Sequence, residues 1–233
     1  MKPLATVYWL RCSAVRDTDA TLEAILDASE RARHRRLVFA DDRRRFLVAH
    51  AQTRIRLGQQ LGIAPEQLRF TDSGHGKPVL IGMASGAQGA LRFSLSHSGD
   101  FLALAIATDR EIGVDIEALR PVPDADQLVM RFFSAAERKE YESLAIARRN
   151  AAFLSGWTRK EAFIKATGEG LSRPLDSFDV SVDPSQPARL LRVDAIPGDL
   201  SGWQLRSFDH SADFAGAVVF TGTEQEHVEW IGQ

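Results

Sequence analysis

Residues 91–117 read LRFSLSHSGDFLALAIATDREIGVDIE, and this stretch decides the fold class. Residues 91–96 alternate apolar and polar side chains, 101–107 form a continuous apolar run, and 112–116 follow after the turn Thr108-Asp109-Arg110-Glu111. Together they predict a β-meander. The apolar run suits a buried strand and is far too short to span a bilayer. Because side chains on a strand alternate faces, Val114 and Ile116 point to the core while Asp115 and Glu117 project together from the other side.

Helices flank the meander. A strand is predicted over 4–10, then a helix over 18–30 with Thr18 or Asp19 as its N-cap. A longer helix opens at Asp41 and Asp42, carries Phe46, Ala49, Thr53 and Leu57 at helical spacing, and closes at Gly62. Pro121 and Pro123 mark a linker. Beyond it, Ser134 with Glu137 forms a capping box, and a helix over 150–167 ends at Gly168 and Gly170. Strands near 176–182, 189–194, 203–208 and 214–220 close the chain. This order gives an α+β fold of two lobes, 1–118 and 119–233, without an alternating βαβ pattern. No repeat in the sequence itself is strong enough to prove duplication.

Composition narrows the function classes. The chain has 233 residues, 44% hydrophobic and 26% charged, with a formal net charge of -2. It can bury a sizeable core, and it lacks the basic excess and reading motifs of a nucleic-acid binder. The N-terminus MKPLATVYWLRC has too short an apolar run for a signal peptide. The single cysteine, Cys12, cannot form an internal disulfide and reads as a half-buried strand residue. A cytoplasmic protein with no membrane partner is expected.

Four groups of residues carry chemistry. Asp115 and Glu117 side by side repel each other unless a hard cation such as Mg²⁺ intervenes; alone they also read as an exposed strand face. In WTRKEAFIK (157–165), Phe153, Trp157 and Ile164 form an apolar stripe with Glu161 and Lys165 at its margin. That pair is a surface salt bridge, or a carboxylate and an ammonium at the lip of a cleft. His97, flanked by Ser96 and Ser98 before Gly99, offers donors from a strand end to phosphate oxygens. In GHGKP (74–78), Pro78 keeps Lys77 extended, and the segment is no P-loop. A basic run adds Arg31, Arg33, His34, Arg35, Arg36, Arg43, Arg44 and Arg45, either a solvated face or a dock for an acidic partner.

Taken in order, G-K-P, F-S-L-S-H-S, G-V-D-I-E and W-T-R-K-E-A-F-I-K followed by G-E-G-L resemble the Sfp-type 4′-phosphopantetheinyl transferases, in the subgroup with tryptophan and K-E-A on this helix. Arg131-Phe132-Phe133-Ser134 with Glu137, and Pro174-Leu175-Asp176-Ser177-Phe178, extend the likeness over about residues 28–182. The resemblance implies two similar α/β lobes related by a pseudo-twofold axis, with coenzyme A in the cleft between them. It implies transfer of the 4′-phosphopantetheine arm to a serine of acyl or peptidyl carrier proteins, releasing 3′,5′-ADP, by a monomer serving fatty-acid, polyketide or nonribosomal-peptide synthesis.

Asp115, Glu117 and Glu161 would hold Mg²⁺ or Mn²⁺. Glu161 would deprotonate the carrier serine and Lys165 would stabilise the diphosphate. Lys77, Ser96 and His97 would hold the adenosine end and its 3′-phosphate. Where relatives place lysines before the first long helix this chain has arginines, so Arg31, Arg33 and Arg45 are candidates for phosphate contacts. The alternative is a metal-dependent phosphohydrolase using the same carboxylates with water as nucleophile.

Overall fold

A computed structural model describes residues 4–72, 78–81, 90–194, 200–208, 213–223 and 227–232. The first half runs β1 (Ala5–Arg11), α1 (Asp19–Ile25), α2 (Ala28–Arg36), α3 (Ala40–Leu61), β2 (Phe70–Asp72), β3 (Pro78–Leu80), β4 (Leu91–Ser98) and β5 (Phe101–Thr108). The second half runs β6 (Ile112–Ala118), α4 (Ala125–Phe132), α5 (Ala135–Ser143), α6 (Ile146–Thr167), β7 (Phe178–Val180), β8 (Leu190–Val193), β9 (Trp203–Ser207) and β10 (Phe214–Thr221). The order is the same: strand, two short helices, a long helix, a short hairpin, then two paired strands. A last strand, β11 (Val228–Gly232), is extra and was not foreseen from the sequence.

The pairing repeats as well. One sheet has the order β11-β1-β5-β4 and the other β6-β10-β9. In each, the first strand of the half pairs antiparallel with the last, which pairs with the one before it. β11 crosses back and pairs parallel with β1, so the chain's last strand completes the first half's sheet.

The predicted meander therefore needs correction at its third strand. Both edges of β5 are filled, by β4 and β1, leaving β6 no ladder there; it pairs with β10 instead. By pairing, β6 opens the second half, ahead of residue 118. The single helix expected over 18–30 is also two. Leu26 is extended, and Asp27 starts α2 with a capping box of its own with Glu30.

The duplication shows most clearly in its buried ions. α3 and α6 each have 22 residues and each stops at a left-handed glycine, Gly62 and Gly168. Fourteen residues into each helix stands a fully buried cation, Arg54 in α3 and Lys160 in α6. Each pairs with the capping-box glutamate of the preceding short helix: Arg54 with Glu30 at 2.7 Å, Lys160 with Glu137 at 2.7 Å. Each also donates to backbone carbonyls just past its helix, Arg54 to Pro65 and Leu68, Lys160 to Leu175 and Phe178. A cap and a buried ion pair share one carboxylate in both halves. The sequence hides this because arginine and lysine fill the equivalent positions.

The central core lies between the two sheets, with Val7, Ala105, Val114, Ile116, Val218 and Phe220 all buried. α3 covers the outside of one sheet with Leu47, Val48 and Ala51, and α6 the other with Ala162, Phe163 and Ala166. α6 comes unusually near β6. A Cβ built on Gly113 would lie 2.1 Å from the Ala162 carbonyl oxygen and 2.3 Å from the Ala166 nitrogen, so only glycine permits this contact. Gly113→Ala is expected to cost about 1–3 kcal/mol by overpacking and to lift α6 off β6. Transfer activity should fall further than stability does; activity and a urea midpoint both at the wild-type level would refute the close-approach account. Among the described residues no helix is long and apolar enough to cross a membrane.

Candidate active site

The site forms where β4, β6 and α6 meet. Three serines at period two on β4 stitch it to β6. Ser94 Oγ accepts from the Val114 amide at 3.1 Å, Ser96 Oγ donates to Asp115 Oδ1 at 2.6 Å, and Ser98 Oγ donates to Glu117 Oε2 at 2.5 Å. The two carboxylates projecting from β6 are thus each fixed by a hydroxyl one strand away. From α6, Lys165 Nζ reaches Asp115 Oδ1 at 2.6 Å and Ser96 Oγ at 3.0 Å. Glu161, one turn earlier on α6, faces the same carboxylates.

Electrostatics bear out that proximity. Burial, then the Asp115 and Glu117 charges, push the Glu161 carboxyl above its usual range, with Lys165 opposing. Burial and the Asp115 charge likewise raise Glu117, against its Ser98 hydrogen bond. Asp115 is 4% exposed, and its Oδ2 is buried with no hydrogen-bond partner. An orphaned carboxylate oxygen between two acids that disfavour each other's charge is chemistry a hard divalent cation satisfies, so the residues fit one. Among the described residues, however, no three His, Cys, Asp or Glu side chains are gathered into a ready-made cation site.

His97 and Ser96 separate. Both were expected at the adenosine end of the ligand. Being neighbours on a strand they point opposite ways: Ser96 is buried against Asp115, whereas His97 faces two cavities. The larger, about 670 Å³, is bounded by α2 and the β2–β3 hairpin and includes Arg33, Arg36 and Phe70. The smaller, about 460 Å³, includes Arg45 and Phe46. Partial burial, and then the nearby Lys165 ammonium, hold the His97 imidazole below its ordinary value.

The other candidates divide. Arg33 lies over the Phe46 ring at 5.6 Å and lines the larger cavity. Arg45 lines the smaller one and pairs with Asp42 at 2.9 Å. Arg31 lines neither; its guanidinium donates to the Leu26 and Glu23 carbonyls and so caps α1. Lys77 lies outside the described residues. Cys12 is buried in a turn after β1, not on the strand, and burial pushes its thiol up to about 11, which leaves it unreactive.

Two further residues on the cavity walls were not singled out from the sequence. His50 borders both cavities, stacks on Phe46 at 4.0 Å and bonds Glu30 Oε1 at 3.0 Å. Its signal was the i,i+4 spacing from Phe46 on α3. Arg36 lines the larger cavity and stood in the basic run without being singled out.

Comparison with known proteins identifies the chain's relatives. The model of the 4′-phosphopantetheinyl transferase superfamily matches residues 111–219, and that of the 4′-phosphopantetheinyl transferase N-terminal region matches 14–109. The chain is 38% identical over 201 residues to the 4′-phosphopantetheinyl transferase HetI of Nostoc sp., covering 86% of this chain and 81% of that protein. It is 36% identical over 169 residues to the 4′-phosphopantetheinyl transferase psf-1 of Bacillus pumilus, covering 72% and 69%. To the 4′-phosphopantetheinyl transferase Sfp of Bacillus subtilis it is 30% identical over 157 residues, covering 67% and 66%. The chain belongs to the 4′-phosphopantetheinyl transferase family, of the Sfp type.

Proposed function

We propose that the cleft between β4, β6 and α6 transfers the 4′-phosphopantetheine arm of coenzyme A to a serine of acyl or peptidyl carrier proteins, releasing 3′,5′-ADP. The observation that carries this reading is the Asp115–Lys165–Ser96 cluster with Glu161 beside it, its Ser96 on the same strand β4 whose His97 borders two cavities lined in part by arginines.

Asp115, Glu117 and Glu161 would hold Mg²⁺, which supplies charge neutralisation for the diphosphate when bound. Lys165 sits where it can take up charge developing on the leaving phosphate. Glu161, beside Asp115 and Lys165, removes the proton of the carrier serine hydroxyl. His97, Arg33 and Arg45 bind the 3′-phosphate and adenosine end. Ser96 acts from beneath, orienting Asp115 and Lys165. The arginine-rich face of α2 and α3 suits an acidic carrier surface, and that contact should weaken with salt. The enzyme acts as a monomer, because both halves of the cleft come from one chain. The comparisons give a metal-dependent phosphohydrolase no support.

Two experiments test this assignment. Transfer to an apo carrier protein should fall to background in chelator and return with added Mg²⁺; full transfer in chelator would remove the carboxylates from a metal role. His97→Ala should weaken coenzyme A at least about tenfold, the value of a charge-assisted hydrogen bond, and dephospho-coenzyme A much less. Equal losses for both would take His97 away from the 3′-phosphate.

A further inference from the structure

We propose that the C-terminal half holds a second ligand cavity, the internal-repeat counterpart of the cavity beside His97, and that it takes an organic phosphate bearing a flat ring, the chemistry of a nucleotide. The cavity, of about 930 Å³, lies along β9 at the edge of its sheet, against α6 and the segment joining β7 to β8. It stands apart from the Asp115 cluster, and its existence does not depend on the transfer reaction.

The counterpart relation follows from register. β5 and β10 each have eight residues. Leu95 lies opposite Leu104, the fourth residue of β5, and Ser207 lies opposite Ala217, the fourth residue of β10. Phe93 and Leu205 lie opposite the sixth residues, Ile106 and Val219. On the long helices, Thr53 and Arg159 are each thirteen residues beyond the first. Thr53, Phe93 and Leu95 line the first cavity, and Arg159, Leu205 and Ser207 line the second. The hairpin that follows the long helix closes both, through Phe70 and Pro78 in one half and through residues 184–190 in the other. The two cavities share three walls in the same order.

They differ in charge. The first mixes arginines with Asp27 and Glu30. Among the described residues lining the second are Arg159, Arg189 and Arg206, and no Asp or Glu. Arg159 is 1% exposed, and its guanidinium is oriented by the Ser181 carbonyl at 2.8 Å, the Ser181 hydroxyl at 3.1 Å and the Ser207 hydroxyl at 3.3 Å. A wall of guanidinium groups attracts an anion, and their fork geometry suits phosphate oxygens. Trp203, packed edge-on against Phe163, and Trp230, packed on Phe208, add aromatic surface to the lining. The volume falls within the ~300–1,000 Å³ common for small-molecule sites.

The test is a titration of the full chain with 3′,5′-ADP, following the ¹⁵N-labelled indole signals of its tryptophans. Signals are assigned through Trp203→Phe and Trp230→Phe. The Trp203 and Trp230 signals should shift saturably, and should still do so in His97→Ala, where the first cavity is impaired. Arg189→Glu, at an exposed position, should weaken that response at least about tenfold, and Arg189→Glu with Arg206→Glu should weaken it further. Absence of a shift, or a shift unaffected by Arg189→Glu, would overturn the site. Inorganic phosphate binding there as tightly as 3′,5′-ADP would overturn the nucleotide class.

Discussion

Asp115→Asn is expected to lower phosphopantetheine transfer by at least about a hundredfold, in the range seen when a charge-stabilising group is removed from an active site, while the chain stays folded. The substitution keeps the shape of the side chain and its hydrogen bond from Ser96. What it removes is the negative charge that Lys165 contacts at 2.6 Å and that raises Glu161 and Glu117. Three elements, β4, β6 and α6, converge on this one carboxylate, through Ser96 and Lys165. Turnover should collapse while the urea midpoint moves little. A variant that transfers at the wild-type rate would displace Asp115 from the centre of the site, and one that fails to fold would make it structural.

Lys160→Met is expected to cost about 3–5 kcal/mol of stability, the usual penalty for breaking a buried ion pair from one side. Lys160 is fully buried, and its Nζ joins Glu137 to the carbonyls of Leu175 and Phe178. Glu137 in turn accepts from the Ser134 and Val180 amides. Burial pulls the lysine below its usual range and pushes the glutamate above it, against their mutual attraction. Removing the lysine therefore leaves a carboxylate that can neither reach water nor ionise cheaply. Lys160→Met combined with Glu137→Gln should recover a large part of the loss. Urea denaturation of the two variants decides the matter: a Lys160→Met loss below about 1 kcal/mol, as for an exposed pair, would contradict the account.

Much of this was legible in the sequence for physical reasons. The capping box at Ser134, the glycine stops at Gly62 and Gly168, and the alternation that aims Asp115 and Glu117 away from Val114 and Ile116 are local rules, and the structure follows them. Residues far apart in sequence were harder. Nothing near β6 announces that it pairs with β10, about a hundred residues on, because pairing depends on which strand edges are already filled. The KEA segment offered Glu161 and Lys165 as cleft residues but gave no sign that Lys160, immediately before Glu161, is buried. The two serines flanking His97 in FSLSHS read as phosphate donors; with Ser94 they join β4 to β6, a role visible only once the two strands lie together. Arginines follow the same logic. Arg31, Arg33 and Arg45 look alike in a basic run, and only the fold separates a helix cap from cavity walls.

The most direct measurement is the intact mass of an apo carrier protein incubated with this chain, coenzyme A and Mg²⁺. A gain of one phosphopantetheine arm is expected, absent when the carrier serine is changed to alanine and strongly reduced with Asp115→Asn. Coenzyme A cleaved with no mass added to any of several acyl and peptidyl carrier proteins would contradict the transferase account.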